Sequence, residues 1–162
     1  MNKAFKSLKL TNKHQSNSFR SLIKYFEWLT VRESVMASKP ANKRQKDFMK
    51  DMTDFISEVG LGYLYKGYGC STYMQRHHVV GRSAKHNKIN IGHDFIIPVP
   101  VELHEPNYEH KYHVGKCKKA FVSEFGKQCD IFEKLIWGMV EYGYSKNIAD
   151  SEVIKAIMDT NA

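Results

Sequence analysis

The sequence predicts a mixed α+β domain in which two short strands are followed by a short helix and flanked by longer helices. Three observations support this fold class. Apolar residues recur at helical spacing before residue 60 and after residue 116. The glycines and aromatics of residues 60–83 favour loop and short strand. Residues 95–99 form an apolar run that ends at a proline, as a buried strand does.

The first 60 residues contain two predicted helices. Residues 1–18 are polar with spaced lysines, which predicts a segment that is disordered until it binds a partner. Apolar residues then fall at helical spacing from Phe19 to Leu29, and Pro40 ends this stretch. A second amphipathic helix is predicted from about Asn42 to Val59, with Gly60 at its end.

The later elements follow from prolines and glycines. Residues 93–104 predict a strand over Phe95–Val99 and then a short helix opened by Pro100 or Val101, because a proline at a helix start has no N–H bond to lose. Two further helices are predicted to end at Gly126 and at Gly143, and a last helix spans about 149–159.

The positive charge is concentrated at the start of the chain. Residues 1–46 hold 11 Lys/Arg against Glu27 and Glu33, a net charge of +9, whereas residues 47–162 hold 14 Lys/Arg against 15 Asp/Glu, a net charge of −1. A basic arm on a near-neutral body is typical of nucleic-acid binding, and a solvated tail without a ligand is the alternative. We therefore divide the chain into a basic arm (residues 1–40) and a body (residues 41–162).

Several features favour a cytoplasmic protein that does not enter a membrane. No apolar run approaches the roughly 18 residues that a membrane span needs. The N-terminus lacks the apolar core of a secretory signal. The three cysteines, Cys70, Cys117 and Cys129, form no CxxC pair and are odd in number, which predicts packed, reduced thiols.

Seven of the eight histidines lie between residues 77 and 113. His77 and His78 are adjacent at the expected end of a strand, His93 precedes the next strand, and His104 lies in the short helix. Neutral imidazole is the commonest metal ligand in proteins, so the cluster predicts a divalent metal site. Because neighbouring residues of a strand face opposite sides, one site can use both adjacent rings only where the strand ends.

The order of strand, "HH", loop, His93, strand, proline and helix with His104 resembles the ββα-metal core of HNH (His-Me finger) nucleases. The resemblance implies that His78 is the general base and that His93 stands where a residue orients that base. It also implies a metal site made by His77 and His104, with His113 or His110 as the third ligand. The activity it implies is metal-dependent hydrolysis of phosphodiester bonds.

The segment "KYHVGKCKKAFVSEFGKQCDIFEKL" sharpens the resemblance. Together with "GHDFIIPVPVELH" it is similar to the phage recombination-enhancement (Ref) nucleases, which cut DNA held by RecA filaments, and the similarity spans about residues 42–143. This implies DNA as substrate, single-stranded or coated with RecA, and RecA as a partner. It implies Mg²⁺ or Mn²⁺ for activity, with Zn²⁺ as a further occupant of the histidine site.

The sequence departs from these nucleases at two places. Members of the family often carry two pairs of cysteines that hold a structural zinc ion, and the matching positions here are Leu61, Leu64, Pro100 and Leu103. We expect an apolar plug there, in which each buried leucine contributes roughly 1.5–3 kcal/mol. The second departure is His93, where asparagine is common. Asn90 and Asp94 compete with it for the orienting role, and Asp94 is also a candidate partner for a histidine.

Basic residues near the histidines are predicted to bind phosphates: Arg76, Arg82, Lys85 and Lys88, with Lys43 and Arg44 from the start of the body. An ordinary solvated surface is the alternative for these residues. Two other functions remain open, namely a non-enzymatic nucleic-acid-binding protein with a structural metal and an RNA nuclease on the same core. Aromatics Tyr63, Tyr65 and Tyr68 either stack on bases or pack within the fold.

Overall fold

A computed structural model describes residues 39–162, and this part of the chain has a mixed α+β fold, as the sequence predicts. The predicted arm helix from Phe19 to Leu29 lies outside the described residues. The described part contains five α-helices, one 3₁₀ turn (Leu61–Tyr63) and two small antiparallel sheets. In chain order the elements are α1 (Lys43–Val59), β1 (Met74–His78), β2 (Lys85–His86), β3 (Ile89–Asn90), β4 (Ile96–Pro100), α2 (Val101–His104), α3 (Lys118–Phe125), α4 (Gln128–Glu141) and α5 (Ser151–Met158).

Helix α1 has strong signals at both ends. The Asn42 side chain accepts from the Gln45 backbone N–H, and the Gln45 side chain accepts from the Asn42 N–H, which forms a capping box. At the other end Gly60 has φ +77°, and a Cβ there would lie 2.7 Å from the Gly69 carbonyl oxygen. The helix therefore begins and ends where the sequence predicts.

The first sheet brings distant parts of the chain together. β1 pairs with β4 in antiparallel register, from Met74 opposite Pro100 to His78 opposite Ile96. All five residues of β4 are buried, and α2 follows without a loop. The strand begins one residue later than predicted, and the helix begins at Val101, one of the two predicted starts.

The second sheet is a short hairpin inserted between β1 and β4. β2 and β3 are joined by Asn87 and Lys88, whose φ angles of 48° and 69° are those of a tight two-residue hairpin turn. The segment between His78 and His93 therefore leaves the first sheet and returns to it, which carries His93 back to the end of β1.

One apolar core joins the helices to β4. Leu61, Leu64 and Leu103 are all buried in it, so the predicted burial of these leucines is confirmed. Tyr65 is also fully buried, and its ring meets the edges of Phe121 and Phe125. Base stacking by Tyr65 was the wrong alternative, because its ring is not accessible to a ligand.

The cysteines are free, but they do not share one environment. Cys129 is buried and Cys117 is half-buried, whereas Cys70 is exposed. The prediction of a packed thiol is wrong for Cys70, because this residue follows the left-handed turn at Gly69 on the surface. Among residues 39–162 no helix is both long enough and apolar enough to cross a membrane.

Candidate functional site

The end of β1 presents two histidines in opposite directions. Gln75 and His77 share one face of the strand and both contact His104 of α2. Arg76 and His78 share the other face, where Arg76 donates to the Thr53 hydroxyl of α1 at 3.0 Å and His78 contacts His93. The alternation of the strand thus divides the predicted cluster into two histidine pairs.

In the first pair, His78 and His93, the neighbouring groups determine which ring nitrogens carry a proton. His78 Nε2 and His93 Nδ1 lie 3.3 Å apart, and His93 Nε2 lies 2.8 Å from the backbone carbonyl oxygen of Lys39. A carbonyl oxygen can only accept, so His93 Nε2 carries the proton and a neutral His93 accepts at Nδ1. His78 Nε2 must then donate, which leaves the lone pair of a neutral His78 on Nδ1.

The imidazole of His78 is uncharged at neutral pH. Partial burial lowers its pKa to about 4, and the neighbouring His93 and Arg82 lower it in the same direction. A neutral ring whose Nδ1 holds an unshared lone pair can accept a proton from a water molecule. His78 therefore has the chemical form of a general base.

The second pair, His77 and His104, has its nitrogens face to face. His77 Nδ1 and His104 Nε2 lie 3.1 Å apart. On the far side of the ring, His104 Nδ1 lies 2.5 Å from Gln75 Oε1, and Gln75 Nε2 donates to Glu105 Oε2. The His104 Nδ1–H therefore donates to Gln75, which leaves a lone pair on Nε2 directed at His77.

Burial keeps the second pair uncharged as well. It lowers the pKa of His77 to about 4, and the adjacent His104 ring lowers it further, while Gln128 acts in the opposite direction. Burial also lowers the pKa of His104, with the nearby His113 adding to the effect. Uncharged imidazoles are the form in which histidine binds metal ions.

The second pair fits two positions of a metal site. Two nitrogens bound about 2.1 Å from one ion lie roughly 3.0 Å apart at a right angle and roughly 3.4 Å apart at the tetrahedral angle. The observed 3.1 Å between His77 Nδ1 and His104 Nε2 lies in this range. A proton on His77 Nδ1 would satisfy the same geometry as a hydrogen bond. Among residues 39–162 no three His, Cys, Asp or Glu side chains converge on one point.

The δ nitrogens of the two predicted third ligands are hydrogen-bonded to backbone N–H groups. His113 is buried, and its Nδ1 accepts the backbone N–H groups of Gly115 at 3.0 Å and Lys116 at 3.1 Å. A neutral His113 therefore carries its proton on Nε2, a buried atom with no hydrogen-bond partner among the described residues and, while protonated, no lone pair to give. His110 Nδ1 accepts the Tyr112 N–H within its own turn. The geometry supports neither residue as a ligand.

The predicted phosphate-binding residues fall into two groups. Arg76, Arg82, Lys85, Lys88 and Lys43 lie at least partly at the surface, and Arg82 is close enough to His78 to lower its pKa. Arg44 is different, because it pairs with the buried Asp94 and donates to the Asn147 carbonyl oxygen at 3.0 Å. A phosphate role for Arg44 is not supported, since the fold already uses its guanidinium group.

The same ion pair corrects the predicted role of Asp94. Its carboxylate accepts from Arg44 and from Gln45 Nε2, the latter at 2.8 Å, and it bonds to no histidine among the described residues. Asn90 lies in β3, opposite Lys85. Of the three residues that competed to orient the base, His93 alone is bonded to His78.

Five residues of the site were missed by the sequence reasoning: Gln75, Glu105, Lys118, Gln128 and Lys39. Gln75 had a signal, because strand alternation places residues 75 and 77 on one face. Lys118 lies near enough to His77 to lower its pKa, which brings a second cation to the site. Lys39 acts through its backbone carbonyl, which no side-chain pattern can indicate.

Comparison with known proteins identifies no relative. No family model matches the chain, and no curated protein and no solved structure shows significant similarity to it. The resemblance to HNH nucleases therefore stands on the residues quoted above, and function has to be argued from the two histidine pairs.

Proposed function

We propose that the protein is a metal-dependent endonuclease with a ββα-metal core formed by β1, β4 and α2, and that it hydrolyses phosphodiester bonds of DNA. The observation that carries the proposal is the presence of two histidine pairs at the end of β1. One pair leaves the lone pair of a neutral His78 on Nδ1, and the other places two ring nitrogens 3.1 Å apart. They provide a proton acceptor and two candidate ligands of a cation, and His104 lies near enough to His78 to lower its pKa.

His78 is the general base in this proposal. Its Nδ1 accepts the proton of a water molecule as that water attacks the phosphorus atom. The bond between phosphorus and the 3′ oxygen breaks, as the resemblance implies, and the departing 3′ oxygen takes up a proton from solvent. His93 holds the imidazole in the required tautomer, and the Lys39 carbonyl oxygen holds His93 in turn. The lowered pKa of His78 keeps the base unprotonated at neutral pH.

His77 and His104 would hold a divalent cation. Such an ion supplies charge stabilisation at the phosphate and at the departing oxygen. As far as ligand type is concerned, two imidazoles suit Zn²⁺ better than Mg²⁺ or Mn²⁺, whereas the resemblance implies Mg²⁺ or Mn²⁺ for activity. The chain contributes two uncharged imidazole rings, those of His77 and His104, at a spacing that fits one ion.

The charges around the two pairs suit an anionic polymer. Arg82 lies beside His78 and Lys118 beside His77, and Lys85 and Lys88 extend along the inserted hairpin. The basic arm adds sequence-independent affinity for phosphates. The choice of DNA, and the use of RecA as a partner, come from the resemblance alone.

The test is cleavage by the full-length protein of supercoiled plasmid, single-stranded DNA and RNA, with and without RecA filaments. Each substrate is incubated with Mg²⁺, Mn²⁺ or Zn²⁺ and with EDTA. We expect metal-dependent cuts in DNA. Cleavage of RNA alone would replace DNA as the substrate. Salt-sensitive binding without cleavage under any condition would contradict the enzyme and favour a nucleic-acid-binding protein with a structural histidine site.

A further inference from the structure

We infer that Gln75, held by Glu105, is a positioning residue that fixes the proton of His104 on Nδ1 and so directs the Nε2 lone pair at His77. The inference rests on the proposed function in one respect, namely the use of that lone pair to bind a cation. The tautomer itself is a property of the metal-free protein. Neither Gln75 nor Glu105 belongs to the sequence motif that suggested the site.

The direction of the chain of hydrogen bonds is set at its far end. An ionised Glu105 carboxylate can only accept, so the Gln75 atom that faces it is the amide nitrogen. The other amide atom, Oε1, is then the one that faces His104 at 2.5 Å. An amide oxygen can also only accept, and His104 Nδ1 must therefore carry a proton. Glu105 thus determines the His104 tautomer through Gln75.

The local structure makes this arrangement compact. Gln75 is two residues before His77 on the same face of β1, and Glu105 directly follows His104 at the end of α2. Gln75 thus accompanies His77 on β1, and Glu105 accompanies His104 at the end of α2. A residue that hydrogen-bonds the far nitrogen of a metal-binding histidine fixes its ring and raises its basicity, and removing such a partner typically lowers metal affinity about 10- to 100-fold.

A direct readout is the ¹⁵N chemical shifts of the His104 ring in the full-length, metal-free protein at neutral pH. We expect a protonated Nδ1 and an unprotonated Nε2. In Gln75→Leu, which cannot accept a hydrogen bond, we expect both tautomers to be populated. We expect Zn²⁺ affinity in calorimetry to fall about 10- to 100-fold.

An exchange of the two side chains provides the matched control. Gln75→Glu alone places two carboxylates against each other and should weaken Zn²⁺ binding. The double variant Gln75→Glu/Glu105→Gln restores a donor–acceptor pair and keeps an acceptor on His104 Nδ1. We expect it to recover the tautomer and at least the original affinity, which a role in packing alone would not produce.

The inference is overturned if His104 carries its proton on Nε2, or if Gln75→Leu changes neither the tautomer nor Zn²⁺ affinity. It is also overturned if the folded wild-type protein binds no metal. A fixed tautomer with Gln75-dependent Zn²⁺ binding, in a protein that cuts no nucleic acid, would support the positioning role and contradict the nuclease. The two proposals can therefore fail separately.

Discussion

The two histidine pairs at the end of β1 start from the adjacent residues His77 and His78, but they are hydrogen-bonded to different kinds of group. The His78–His93 pair is hydrogen-bonded to the backbone carbonyl oxygen of Lys39 and leaves the lone pair of a neutral His78 on Nδ1. The His77–His104 pair is flanked by the side chains of Gln75 and Glu105 and turns two nitrogens towards each other. One arrangement suits proton transfer, and the other suits binding of a cation.

The difference shows how a strand end can separate two kinds of chemistry. Both His77 and His78 have pKa values lowered to about 4, mainly by burial, so charge does not distinguish them. What distinguishes them is the partner of each ring: His78 Nε2 faces Nδ1 of His93, whereas His77 Nδ1 faces Nε2 of His104. Hydrogen-bond partners, more than residue type, assign the roles of base and ligand.

The largest expected effect is on the pair that contains the base. We expect His78→Ala to fold normally and to lower the cleavage rate about 10²- to 10⁴-fold, because the variant lacks the imidazole that accepts the proton of the attacking water. Rates are measured on supercoiled plasmid with the best metal. His86→Ala is the matched control, since His86 lies in the inserted hairpin and belongs to neither pair. Equal losses in both variants would contradict the assignment.

The orienting residue should matter less than the base. His93→Ala removes the acceptor for His78 Nε2 and frees the ring to turn, so we expect a loss of about 100-fold in kcat. His93→Asn should recover part of this loss, because the amide oxygen can accept from His78 Nε2. The comparison of kcat for the two variants checks this point, and an alanine variant as active as the asparagine variant would show that His93 does not orient the base.

Two truncations separate the arm from the His78–His93 pair. Removing residues 1–37 should weaken DNA binding about 10- to 100-fold and flatten its salt dependence by roughly one unit for each phosphate that the arm neutralises. It should leave kcat unchanged. Removing residues 1–40 also removes the Lys39 carbonyl that holds His93, so kcat should fall as well. Binding is measured by fluorescence anisotropy over a series of salt concentrations, and an unchanged slope would exclude the arm as a DNA-binding segment.

The smallest expected effect is on stability at low pH. An unfolded His77 titrates at its ordinary pKa of 6.5 and the folded ring at about 4, so the unfolded state binds the extra proton first. The contribution of His77 to the free energy of unfolding should therefore be fully present above pH 6.5. It should be lost as the pH falls from 6.5 to 4, by about 1 kcal/mol for a partly exposed ring. Urea unfolding of wild type and His77→Gln checks this, and the variant should show a shallower dependence. The same pH dependence of the free energy of unfolding in both proteins would show that His77 does not contribute to it.

The sequence predicted much of the fold because its signals are local. The capping residue Asn42, the end at Gly60 and the proline-led start of α2 each depend on neighbouring residues. The His77–His104 and His78–His93 contacts were also expected, although from a resemblance and not from periodicity.

The rest could not be predicted, because it depends on contacts between distant residues and on local turns. Arg44 looked like a free cation in the sequence, but the fold places Asp94 beside it. His113 looked like a ligand, but a local turn uses its Nδ1 as an acceptor for two backbone N–H groups. Both differences come from hydrogen-bond partners that the order of residues does not indicate.

The division of roles between the two pairs can be tested in one experiment on His77→Ala and His78→Ala. Manganese affinity and plasmid cleavage are measured on the same folded preparations. We predict that His78→Ala keeps wild-type metal affinity and loses cleavage, whereas His77→Ala loses at least about 100-fold in affinity together with cleavage. Loss of metal binding in both variants, or cleavage retained by His78→Ala, would contradict it.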